Sequence, residues 1–116
     1  MDLVGESFVL VEWTDPGTHR GPIAGLHVHH EDDEAWYVLD GRLGFEVGDE
    51  QRVVGSGESI LVRRGTPHSY WNAQTAPTRY LLVMTPRIRR LIDALHSGGR
   101  DDYARVFAEH ASELLT

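Results

Sequence analysis

The stretch Gly21 to Gly41, GPIAGLHVHHEDDEAWYVLDG, decides how the chain is read. It holds three of the seven histidines and the densest run of carboxylates. His27 and His29 stand two apart, interleaved with the apolar residues Leu26 and Val28. In a β-strand, residues i and i+2 point to the same face, so both imidazoles project side by side. Glu34 lies five residues beyond His29, an odd offset that would face it away in an unbroken strand. The intervening His30-Glu31-Asp32-Asp33 is too polar for a buried strand and reads as a solvated turn. Glu34 then starts a second strand and can face back toward the histidines.

A second stretch, Gly57 to Asn72 (GESILVRRGTPHSYWN), supplies one more imidazole, His68. Three imidazoles and a carboxylate converging from sheet strands form a good ligand set for one divalent transition metal. The identity stays open among Fe, Mn, Ni, Co and Zn.

The two stretches resemble the paired motifs of the cupin family. Gly21, His27-x-His29, Glu34 and Gly41 fall at every fixed position of the first motif. Gly57, Gly65, His68 and Asn72 match the second, with one departure: Arg63 stands where the pattern has proline. That departure touches a turn and not a ligand. The resemblance implies a small single-domain cupin, an all-β double-stranded β-helix or jelly-roll barrel. It implies His27, His29, Glu34 and His68 as the metal ligands.

Length and composition bound the rest. A chain of 116 residues is long enough for one core and too short for two. Its 12 glycines sit between short apolar runs, which favours an all-β body with many turns. The net charge of −7 lacks the basic surface of a nucleic-acid binder. No apolar run of about 18 residues occurs, so no transmembrane helix is expected. The start, MDLVGESFVLVEW, has no basic region and is broken by acidic residues, unlike a signal peptide. With no cysteine, metal binding must use His and carboxylate, and a cytoplasmic location is the default expectation.

Along the chain, Ser7 to Trp13 reads as a first strand, closed by the turn cluster Thr14-Asp15-Pro16-Gly17. Ile23 to His29 carries the histidine pair, and Glu34 to Leu39 is apolar on both faces, as in a strand buried twice. Further strands fit Leu43 to Val47, Gln51 to Val54, Ile60 to Val62, His68 to Trp71 and Arg79 to Thr85. After Thr85 the period changes. Ile88, Leu91, Ile92 and Leu95 form the stripe of an amphipathic helix, with Thr85 as N-cap, Pro86 at its first position and Gly98-Gly99 at its end. A second helix is predicted from Asp101 to Leu115. Residues 1–85 are thus read as the barrel and 86–116 as a helical extension that covers an outer face or meets a partner subunit.

Trp36, Tyr70 and Tyr80 are the candidate pocket residues; for Trp36, plain core packing is an equal reading. His30 should point away from His29, and His19, His96 and His110 read as surface residues. Arg63 and Arg64 read as an exposed turn, with attraction of an anionic substrate as the alternative. The resemblance points to a dioxygenase-like oxidoreductase acting on a small organic substrate. A metal-dependent isomerase or lyase, or a non-catalytic small-molecule-binding module, needs the same four ligands. A homodimer is expected, since Ala35, Tyr37 and Leu39 on one strand, and Val9, Val11 and Trp13 on another, are read as outward apolar rows.

Overall fold

The computed structural model describes residues 1–18, 21–97 and 102–115. Its body is two five-stranded antiparallel sheets packed face to face. The first contains β1 (Asp2–Val4), β2 (Val9–Asp15), β4 (Glu34–Asp40), β7 (Ser59–Val62) and β9 (Thr78–Met84), in the order β1-β2-β9-β4-β7. The second contains β3 (Ala24–His29), β5 (Arg42–Val47), β6 (Glu50–Gly55), β8 (His68–Asn72) and β10 (Ser112–Leu114), in the order β10-β3-β8-β5-β6. This is the expected jelly-roll architecture, with helices α1 (Pro86–Ser97) and α2 (Tyr103–Glu109) near the C-terminus.

Alternation builds the core. Along β9, Tyr80, Leu82 and Met84 point in, while Arg79 and Val83 point out. Along β5, Leu43 and Phe45 enter the core, and the intervening Gly44 faces outward. Gly44 is the cross-strand partner of Trp71, whose indole fills the space a Cβ would need. Gly41 closes the β4–β5 hairpin at φ 108°, a conformation that favours glycine.

Several elements differ from the sequence reading. The first long strand begins at Val9 and is preceded by the short edge strand β1, which pairs with it from Asp2↔Val11 to Val4↔Val9. Val9 and Val11 are fully buried and Trp13 packs against the core, so this row points inward and not outward. β4 is buried on one face only: Trp36 and Val38 are inside, whereas Tyr37 is 42% exposed. Both faces of β4 are apolar, but among the described residues no element covers the second.

What lies there is a continuous band. Leu3↔Leu10, Leu10↔Val83, Val83↔Ala35 and Ala35↔Leu61 are successive cross-strand partners, so these side chains share one face across all five strands.

α1 is capped as expected, with the Thr85 hydroxyl accepting from the Ile88 N–H at 3.2 Å. The expected helix end at Gly98-Gly99 lies outside the described residues, as do His19 and the predicted helix start at Asp101. α2 stops at Glu109, well short of Leu115. There the His110 ring donates back to the Val106 carbonyl (2.7 Å), and Ala111 turns left-handed at φ 54°. The chain then re-enters the second sheet as β10. The helices do not cover an outer face: Ile88, Leu91 and Phe107 face the cavity of the barrel.

Because the outer space at Gly44 is taken by the Trp71 ring, Gly44→Val should destabilise the protein by about 1–3 kcal/mol through overpacking. Thermal melts of the two proteins check this. An unchanged midpoint would mean that the indole moves aside at no cost.

Candidate metal centre

β3 places His27 and His29 on one face, as their spacing requires. His68 is the direct cross-strand partner of His27 on β8. Glu34 comes from the opposite sheet, at the start of β4, after the turn has reversed the chain. The predicted ligand atoms of these four residues lie within 4.8 Å of one another, and all four side chains are buried. His68 Nε2 is 3.1 Å and His29 Nε2 3.2 Å from the same Glu34 oxygen. Ligands on opposite sides of an ion bound at about 2.0–2.3 Å would stand about 4.0–4.6 Å apart. The cluster therefore fits a single divalent ion with adjustments of a few tenths of an ångström.

The hydrogen bonds behind the rings select the same inward atoms. His27 Nδ1 lies 2.6 Å from the Gly25 carbonyl, and His68 Nδ1 lies 2.9 Å from the Thr66 carbonyl. A carbonyl only accepts, so each Nδ1 carries its hydrogen and each Nε2 is left to face the cluster. Thr66 is held by a tight turn at Gly65 (φ 80°), whose N–H donates to the His29 carbonyl at 2.7 Å. The second motif is thereby tied to the strand carrying the first.

Burial dominates the electrostatics. It lowers the His27 pKa to about 4, helped by the neighbouring His68. For Glu34, burial pushes the other way, raising its pKa, but the His29 and His68 rings beside the carboxylate outweigh it and hold the carboxyl at about 2.

His27, His29 and Glu34 line a cavity of about 560 Å³. Trp36, Tyr70 and Tyr80, the three pocket candidates, all line it. The two tyrosine hydroxyls lie 3.0 Å apart. Burial raises the Tyr80 pKa to about 12 and the Tyr70 pKa well above its ordinary value, so both stay neutral at physiological pH. Among the described residues, no Arg lines the cavity.

Other sequence expectations sort plainly. His30 is exposed, 3.6 Å from Glu113. Arg63 and Arg64 are exposed, and the Arg64 backbone and side chain engage Asp33. Asp32 departs from the solvated turn: it is 7% exposed, with its carboxylate 3.4 Å from Arg87 Nε on α1. His96 is exposed but stands on the cavity wall. Sequence reasoning does not find the tail residues Tyr103, Phe107, Ser112 and Leu114 at the site. Only the apolar character of the tail is legible, and it is equally compatible with packing elsewhere.

Comparison with known proteins agrees with this geometry. The profile of the cupin domain family matches residues 14–84, and the chain belongs to that family. Within it, a 51-residue stretch (44% of the chain) is 39% identical to quercetin 2,3-dioxygenase of Bacillus subtilis strain 168. A 61-residue stretch (53% of the chain) is 31% identical to the uncharacterized protein MJ1618 of Methanocaldococcus jannaschii. These matches span 15% and 49% of the two relatives' own lengths. Among solved structures, the TT1209 protein from Thermus thermophilus superposes with a TM-score of 0.62 at 25% identity, covering 72% of this chain and 77% of that one. No helix among the described residues is long and apolar enough to cross a membrane.

The shifted groups set the acid response of the metal-free protein. His27 takes up its proton near pH 4 when folded, against 6.5 for its ordinary value. The unfolded chain binds that proton first, so stability falls as pH drops through this window. Glu34 adds a stabilising term that is present above 4.5 and lost as pH falls toward about 2. Melting temperature should therefore decline steadily below about pH 6.5, and His27→Ala should make the upper part of that decline shallower. A pH-independent midpoint across this range would contradict the assignment.

Proposed function

We propose that the protein binds one divalent transition metal through His27, His29, Glu34 and His68. We further propose that it is a small metal-dependent oxidoreductase of the dioxygenase-like type. The observation that carries this reading is the convergence of the four groups, three of which line an apolar cavity large enough for a small organic molecule. Partial similarity to a quercetin dioxygenase supports it. A redox-active ion such as Fe(II) would supply Lewis acidity and access to dioxygen chemistry.

The chain's own residues define what is held there. Trp36, Tyr80 and Phe107 offer aromatic surface to a flat apolar substrate. The Tyr70–Tyr80 pair, being neutral, is suited to donating one hydrogen bond to a substrate oxygen. With no arginine among the described wall residues, a sugar phosphate or other polyanion would be poorly neutralised. This favours an aromatic or enol substrate over the isomerase and lyase alternatives. A non-catalytic binding module is the second reading, favoured by one observation: both tyrosines stay protonated near pH 7 and so supply no base.

Elemental analysis of protein purified without added metal, followed by oxygen uptake with a panel of aromatic and enolic compounds, separates these readings. Bound metal with substrate-dependent oxygen consumption is expected. Metal with tight ligand binding but no turnover would favour the module. Strand parity adds a sharper test. His29→Ala should lose most of the bound metal, whereas His30→Ala, on the exposed side, should keep it. Equal loss in both would break the ligand assignment.

We also propose that the protein is a homodimer, paired through the outward band from Leu3 to Leu61. The band is apolar across all five strands, and self-pairing of like surfaces about a two-fold axis is the common way to bury one. Light scattering should give twice 13.0 kDa, and Leu61→Glu should shift the mass toward one chain. A mass near that of one chain for the unaltered protein would rule the dimer out.

A further inference from the structure

We propose that Ser112 is a positioning residue of the metal centre. The proposal rests on the metal-binding reading given above. It assigns to the C-terminal strand, outside the matched family span, control over one of the ligands.

The three imidazoles are not held alike. His27 and His68 are each held through Nδ1 by the carbonyl two residues earlier in their own segment, Gly25 and Thr66. Both supports lie within residues 14–84, the span matched by the family profile. His29 is held differently. Its Nδ1 lies 2.7 Å from the hydroxyl of Ser112, 83 residues further along the chain.

Proton accounting fixes the direction of that bond. The Ser112 hydroxyl donates to the His110 carbonyl at 3.0 Å, and a hydroxyl has one hydrogen to give. Toward His29 it therefore accepts. His29 must carry its hydrogen on Nδ1, which leaves Nε2 as the atom that faces Glu34.

The placement of Ser112 is built by backbone. Ala111 at φ 54° turns the chain out of α2, and Ser112 becomes the direct cross-strand partner of His29. The His30 N–H to Ala111 carbonyl bond (2.8 Å) and the Leu115 N–H to Leu26 carbonyl bond (2.9 Å) bracket the pairing. Ser112 is 4% exposed, so no water readily replaces its hydroxyl. Its removal would leave a buried Nδ1–H without an acceptor and the ring without a fixed tautomer. Partners of this kind typically change metal affinity about 10- to 100-fold.

The test uses the chain as it stands and Co(II) alone. Affinity is measured by chelator competition for the unaltered protein, Ser112→Ala and Ser112→Thr. The exchangeable ring N–H resonances of the Co(II)-bound imidazoles are followed by NMR. We expect Ser112→Ala to bind Co(II) about 10- to 100-fold more weakly. One of three ring N–H resonances, that of His29, should exchange with solvent faster than in the unaltered protein. Ser112→Thr, which keeps the hydroxyl, should restore both affinity and slow exchange. Unchanged affinity with three slowly exchanging resonances in Ser112→Ala would overturn the proposal. So would equal weakening in both variants with matching losses of melting temperature, the signature of a purely structural serine. If the unaltered protein bound no Co(II), the metal-binding reading itself would fall, and this proposal with it.

Discussion

A buried carboxylate constrains this fold more than any other group. Glu34 is 5% exposed among apolar neighbours, and an ionised group in such a place is costly unless donors surround it. His29 and His68 bring their Nε2 atoms to within 3.2 and 3.1 Å of it, and both belong to the sheet opposite Glu34. The carboxylate can be satisfied only when the two sheets close on each other in the correct register. The Gly65 turn bonded to His29, and the His27↔His68 pairing, are therefore part of the same requirement. With the ring hydrogens on Nδ1, those Nε2 atoms meet the carboxylate as acceptors, so a divalent ion at this point would supply the charge compensation that the protein groups do not. The four side chains are arranged for a cation more than for one another.

The constraint explains what the sequence revealed and what it concealed. The i, i+2 histidines and the odd offset to Glu34 are backbone parity, which survives any detail of packing, so the convergence of four groups was legible. The phase of an apolar strand was less so. On β2, Leu10 is apolar as well as Val9 and Val11, so alternation alone could not say which row faced in. Tertiary burial decided it. The same ambiguity made β4 read as covered on both sides, although its outer face meets no other described element of the chain.

The C-terminal segment was concealed for another reason. Phe107, Ala111 and Leu114 fit a helical period, and a strand of three residues is too short to show a period of two. A glycine at the reversal would have marked the helix end, but Ala111 occupies the left-handed position instead. Asp32 was hidden similarly: in the acidic run from Glu31 to Glu34 nothing distinguishes the residue that turns inward to meet Arg87.

These two blind spots have a common functional consequence. The ligand-bearing strands all lie within residues 14–84, where the chain matches its family. Ile88, Leu91, Tyr103, Phe107 and Leu114, which form much of the apolar wall above them, all lie beyond it. The barrel thus fixes where a metal-dependent reaction would occur, while the tail shapes what can approach. Phe107 illustrates the division, since its ring packs 5.9 Å from that of His27, between the ligand set and the open cavity. A change there would alter the room beside the ligands without altering the ligands themselves. Under the proposed function the tail would share with Trp36 and Tyr80 in setting substrate preference, and the turn at Ala111 that brings it back to β3 would join that role to the metal site.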